Sequence, residues 1–148
     1  DRCFLAGHSA GAHLALWLNR RQQGLDQCAQ DSVVPWRQVL AFAPITDLEG
    51  YGQGSNSCQV MASALLTSAQ GISAETLSPR HLRMAAGVTV FYSPMDALVP
   101  AEQSLVFAAA SGCELVEAHE AGHFDFIYPQ STAGRQVLNY LKGLCNGR

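Results

Sequence analysis

Residues 3–15, Cys-Phe-Leu-Ala-Gly-His-Ser-Ala-Gly-Ala-His-Leu-Ala, constrain the fold more than any other stretch of the chain. A short apolar run ends in Gly7-His8-Ser9-Ala10-Gly11, and an Ala- and Leu-rich segment follows without a break. That order describes a strand turning sharply into a helix, with Ser9 at the apex of the turn. The two backbones nearly touch there, so a Cβ at Gly7 or at Gly11 is expected to clash. Ser9 is then held in a strained conformation with its hydroxyl pointing out of the fold. The N–H of Ala10, at the start of the helix, points to where negative charge would build on an attacked carbonyl oxygen.

The pentapeptide alone is weak: at background frequencies of roughly 7% each for Gly and Ser, a chain of this length holds Gly-x-Ser-x-Gly by accident about one time in twenty. The flanking strand and helix are what strengthen it, and the rest of the chain carries a matching alternation. Residues 1–7 read as a buried strand and Ala10 to about Gln23 as a helix closed by Gly24. Arg37–Ala43 (RQVLAFA) is a second continuous apolar run of the kind buried on both faces of a parallel sheet. Ile45–Pro79 is less regular, with a flexible loop over Tyr51–Asn56, a helix over Cys58–Thr67 and a short turn at Ser73–Leu77. Then follow a strand at Gly87–Tyr92, a helix at Ala101–Ala110, a strand at Cys113–Ala118 and a helix at Ser131–Leu144. The alternation implies one α/β domain over residues 1–148, built on a mainly parallel sheet flanked by helices.

Composition excludes several classes of function. With 148 residues, 48% hydrophobic, and a net charge of -3, the chain has enough apolar residues for one core and no basic block suited to nucleic acid. No apolar run reaches the length of a membrane span; no signal peptide precedes Asp1, an absence that means little because Asp1 lies directly against the elbow strand, and the location is left open with the cytoplasm favoured. The five cysteines (3, 28, 58, 113 and 145) have no metal-type spacing. They read as free buried thiols, with a Cys28–Cys58 disulfide as the alternative in an oxidising compartment.

In an open α/β sheet the site lies beyond the C-terminal ends of the strands, which makes the residues just after each strand informative. These are Ser9, then Thr46 and Asp47, then Ser93–Asp96, then His119–Phe124. A serine hydroxyl becomes a useful nucleophile when a histidine takes its proton, and a carboxylate must fix that histidine's tautomer. Ser9, Asp96 and His123 supply the three types from three strand ends. Asp47 is the rival acid, although Thr46-Asp47 also suits a helix cap. His8 and His13 read as packing histidines and His81 as a surface residue. His119-Glu120-Ala121-Gly122-His123 matches the zinc-protease pattern H-E-x-x-H, but a strand precedes it, Gly122 weakens a helix, and no suitable third ligand follows. No metal or other cofactor is expected.

Taken together, the elbow with its Ala-His-Leu-Ala extension, Ser78-Pro79 before the third strand, Asp96 after it and Gly122-His-Phe-Asp125 resemble the α/β-hydrolase superfamily. The likeness is to the esterase branch that includes kynurenine formamidase (arylformamidase) and hormone-sensitive-lipase-like carboxylesterases. It runs over nearly the whole chain but over the C-terminal half of the family fold alone. The resemblance implies Ser9 as nucleophile, His123 as general base and then acid, Asp96 as the orienting carboxylate and Ala10 N–H as an oxyanion donor. Family members add donors from a His-Gly-Gly loop after an earlier strand, which has no counterpart here. The implied substrate is a small carboxylic ester or aryl formamide, which Phe124, Tyr128, Tyr92 and Leu98 would suit. The alternative is a non-catalytic remnant or a partner-binding module of the same fold, and the open sheet edge leaves room for a homo-oligomer.

Overall fold

The computed structural model describes residues 3–21, 36–82, 84 and 87–147. Four strands, β1 (Cys3–His8), β2 (Trp36–Phe42), β3 (Gly87–Tyr92) and β4 (Glu114–Glu117), form one sheet in the order β1-β2-β3-β4, and each pair is parallel. Helix α1 (Ala10–Arg21) follows β1, and α5 (Ala101–Ser111) joins β3 to β4. Between β2 and β3 lie three helices, α2 (Leu48–Tyr51), α3 (Ser57–Ser68) and α4 (Ala74–Leu77), and the chain closes with α6 (Thr132–Cys145). This is the mainly parallel sheet flanked by helices expected from the sequence.

The two central strands show why continuous apolar runs were needed. Alternate residues of a strand face opposite sides of the sheet. Val39 and Ala41 of β2, with Val88 and Val90 of β3, pack on Ala12, Ala15 and Leu16 of α1 and Phe107 of α5. Leu40 and Phe42, with Phe91, face the other way, onto Ala133, Val137 and Leu144 of α6 and onto Phe126. Phe91 is 1% exposed, and burying a side chain of that size contributes about 1.5–3 kcal/mol. A third, smaller cluster of Ile45, Leu48, Tyr51, Ala62 and Val99 anchors the insertion between β2 and β3 beside the C-terminal ends of the strands.

Three expectations are corrected. The first strand is not buried: β1 is an edge whose residues are exposed or half-buried, because only β2 lies beside it among the described residues. Its apolar sequence reports what the strand can bury, whereas actual cover depends on neighbours. The cysteines are not buried either. Cys3, Cys58 and Cys145 are exposed free thiols and Cys113 is half-buried, while Cys28 and the Gly24 helix stop lie outside the described residues. Tyr51, assigned by sequence to a flexible loop, is 2% exposed and ends α2. The following residues are fixed by a capping box, in which Asn56 and Gln59 bond each other's main-chain N–H groups at the start of α3. No described helix is long and apolar enough to cross a membrane.

The elbow glycines also differ from one another. A Cβ on Gly7 would lie 2.2 Å from the carbonyl oxygen of Gly11, whereas one on Gly11 would meet nothing within 4 Å. Only Gly7 is therefore required by the close approach of strand and helix. Gly7→Ala is expected to cost about 1–3 kcal/mol, the usual range for forced overpacking. Gly11→Ala should leave stability unchanged or raise it by up to about 1 kcal/mol through helix propensity. Urea unfolding of the two variants checks the contrast.

Candidate active site

Three of the four strand ends carry a candidate side chain. After β1, Ser9 has φ 55°, in the left-handed region that side-chain-bearing residues seldom occupy. Two hydrogen bonds hold it there: Ser9 N–H donates to Phe42 O at 2.9 Å, and His13 N–H donates to Ser9 O at 3.0 Å. Ala10 opens α1, and its N–H, like others in a first helical turn, has no carbonyl four residues back within the helix.

After β3 the chain makes a tight turn around Ser93 and Asp96. Ser93 Oγ accepts from Met95 N–H at 3.1 Å. Asp96 Oδ1 accepts from the N–H groups of Leu98 at 2.8 Å and Val99 at 2.9 Å. Its other oxygen, Oδ2, lies 2.7 Å from His123 Nδ1. Burial alone would raise the Asp96 pKa, but the His123 bond and the two N–H donors together hold it below the usual carboxylate value. An ionised carboxylate can only accept, so His123 Nδ1 carries the proton and its Nε2 is left as the basic nitrogen. The Asp96 and His123 side chains are 2% and 5% exposed, so water competes little for this pair.

After β4, Ala118 N–H donates to Tyr92 O at 2.8 Å and carries the chain into a turn at residues 119–120, where Glu120 has φ 57°. Gly122 N–H then bonds Asp125 Oδ2 at 2.8 Å, which sets the backbone before His123. The H-E-x-x-H pattern thus lies on a turn, so its two imidazoles do not share a helical face. His119 is exposed and pairs with Glu117 at 2.9 Å, while His123 faces Asp96. No group of three metal-binding side chains occurs among the described residues.

The rival acid does other work. Asp47 caps α2 by accepting from Gly50 N–H at 3.1 Å, and it forms an ion pair with Arg80. Thr46, Asp47, Tyr51, Arg80, Glu102 and Gln103 border a cavity of about 290 Å³ that neither Ser9, Asp96 nor His123 lines. Its polar groups are largely occupied internally, with Gln103 Oε1 accepting from Thr46 and Asp47 N–H at 2.9 and 2.8 Å. His81 is exposed, as expected.

Several site residues escaped the sequence reading. Tyr51 Oη and Asn56 Nδ2 both donate to Leu98 O, at 3.1 and 3.2 Å, and so tie the insertion to the Asp96 turn. His8, read as a packing histidine, places Nε2 2.8 Å from His123 O. The only signal for this was its place beside Ser9. Of the aromatics expected near a substrate, Phe124 lies against His123 with ring centroids 5.0 Å apart and is 61% exposed. Tyr92 instead donates its hydroxyl to Glu117.

The backbone fold is similar to that of solved structures. Apo esterase 2 of Thermogutta terrifontis superposes with a TM-score of 0.68 and 24% identity, over 95% of this chain and 53% of that one. The same esterase phosphonylated by sarin gives 0.70 and 23%, over 95% and 55%. Acylaminoacyl peptidase of Pyrococcus horikoshii gives 0.65 and 16%, over 91% of this chain and 22% of that one. The chain therefore spans about half the length of the esterase structures it matches. No protein-family model matches the sequence, and no curated protein is significantly similar to it.

His13, 9% exposed, donates from Nδ1 to Ile45 O at 3.0 Å. Burial lowers its pKa below 6.5, against the opposite pull of that bond. Below pH 6.5 the unfolded chain binds a proton that the folded chain does not yet accept, so this contribution is complete above pH 6.5 and lost as pH falls through the lowered folded value. His8 shifts in the same direction. His13→Asn, which keeps a donor for Ile45 O but cannot titrate, should flatten the fall in unfolding free energy between neutral and mildly acidic pH. Denaturant titrations at several pH values measure the slope.

Proposed function

We propose that the chain carries the catalytic serine, histidine and aspartate of a serine hydrolase that cleaves a carboxylic ester or an aryl formamide through an acyl-enzyme. The observation that carries the reading is the buried Asp96–His123 pair at 2.7 Å, joined through the His123 carbonyl to His8, the residue before Ser9 at φ 55°. Asp96 fixes the tautomer that leaves His123 Nε2 basic. That nitrogen takes the Ser9 Oγ proton as Oγ bonds to the substrate carbonyl carbon. The negative charge formed on the carbonyl oxygen falls beside Ala10 N–H at the positive end of α1. Collapse of the tetrahedral adduct breaks the bond to the leaving group, to which His123 returns the proton. Water, deprotonated by the same nitrogen, then attacks the acyl-enzyme and frees Ser9. No cofactor is required, because each step moves only protons and an acyl group.

No hydrogen bond joins Ser9 Oγ to His123 among the described residues, a common state before substrate tightens such contacts. Phe124 offers an exposed apolar face beside His123, which favours an uncharged acyl or aryl group. The esterase neighbour has been seen with butyrate bound, in keeping with a short acyl chain. An aryl formamide fits the same chemistry, since formyl is the smallest acyl group. A panel of short esters against N-formylkynurenine distinguishes the two.

That esterase is also phosphonylated by sarin, which recommends an organophosphonate probe. A fluorophosphonate should label the intact protein once, with loss of label in Ser9→Ala and His123→Ala by intact mass. Asp96→Asn should retain the fold and lower turnover on the order of 10⁴-fold through the wrong histidine tautomer. Folded protein that takes no label would overturn the proposal.

A further inference from the structure

Resting on the hydrolase reading, we propose that His8 is a positioning residue of the site. By donating from Nε2 to the main-chain carbonyl of His123, it sets where that histidine presents its own basic nitrogen to Ser9.

The geometry fixes the direction of the bond. A carbonyl oxygen only accepts, so the 2.8 Å contact between His8 Nε2 and His123 O requires the proton on Nε2. His8 immediately precedes Ser9, whose backbone is pinned to Phe42 O and to His13 N–H. The contact therefore spans 115 residues of sequence and ties the peptide before the nucleophile to the peptide of the base. Asp96 grips the His123 ring at Nδ1, and His8 grips its backbone. Together they define both ends of the His123 side chain, which either bond alone leaves free to pivot.

Ring packing reinforces the arrangement. His8 and His123 have centroids 4.5 Å apart, and Phe124 stands 5.6 Å from His8 and 5.0 Å from His123. Two imidazoles at that separation work together only if one stays neutral while the other becomes a cation. Burial keeps His8 below the usual imidazole value, with the nearby His123 acting in the same sense and with its bond to His123 O and the Asp96 charge opposing. At neutral pH His8 is thus an uncharged donor, and protons exchanged in the reaction are left to His123.

Three variants of the intact protein separate positioning from space-filling. Leucine at this position keeps apolar bulk without a donor. Glutamine carries an amide N–H at about the reach of Nε2, and asparagine carries one nearer the place of Nδ1. His8→Leu should lower kcat on the order of 100-fold, the scale of an ångström's misplacement, while KM changes little. His8→Gln should recover most of that loss, and His8→Asn should not. Equal kcat in His8→Leu and the unmodified protein, or equal loss in His8→Leu and His8→Gln, would overturn the inference.

A second readout needs no turnover. The strongly deshielded proton shared by His123 Nδ1 and Asp96 Oδ2 should be resolved by proton NMR in the unmodified protein and in His8→Gln, and broadened or lost in His8→Leu. An unchanged resonance in His8→Leu overturns the positioning role even in a protein without activity. Should the resonance respond as expected while the unmodified protein neither labels nor turns over, the positioning role stands and the hydrolase reading alone falls.

Discussion

The approach of β1 to α1 at Gly7 is the constraint from which the site's geometry descends. A carbonyl of one element occupies the space where a side chain of the other would begin. The chain must reverse from strand to helix within a single residue, and that residue adopts a left-handed conformation that few side chains tolerate. The cost is met by bonds to β2 and α1 on either side of Ser9. Strain here follows from packing the two elements so closely.

The opposite wall rests on different physics. Asp96 and His123 are brought together by parallel pairing of β3 with β4, then locked by hydrogen bonds that have little water to compete with. The Asp96 carboxylate accepts from two main-chain N–H groups and bonds His123, so it has few orientations left. Its preference for the ionised form is the electrostatic counterpart of that confinement. The insertion between β2 and β3 contributes through the Leu98 carbonyl, which receives donors from α2 and from the cap of α3.

Local pattern made much of this legible. The β3 boundaries follow directly from GVTVFY, and RQVLAFA announces a strand covered on both faces because it offers no polar alternation. The strand ends then point to Ser9, Asp96 and His123 as candidates, of which the structure pairs Asp96 with His123. What local pattern lacks is knowledge of distant partners. The exposure of β1 depends on what lies beside it, and Gly11 differs from Gly7 because a tetrahedral direction, invisible in the letters, points one Cβ inward and the other to solvent. Tyr51 looked mobile among glycines, yet a buried ring with a carbonyl for its hydroxyl cannot move freely. His8 escaped for the same reason, since its partner atom belongs to a backbone 115 residues away.

That separation also orders events in the life of the chain. The elbow is assembled from neighbours in sequence and from β2. The histidine lies beyond both β3 and β4 in sequence. Closing so long a loop carries an entropic penalty that local turns do not. During synthesis the serine would therefore spend its time as an ordinary alcohol. On the proposed reading, reactivity waits for the long-range contacts that bring His123 to the elbow, which makes a working site a report on their formation.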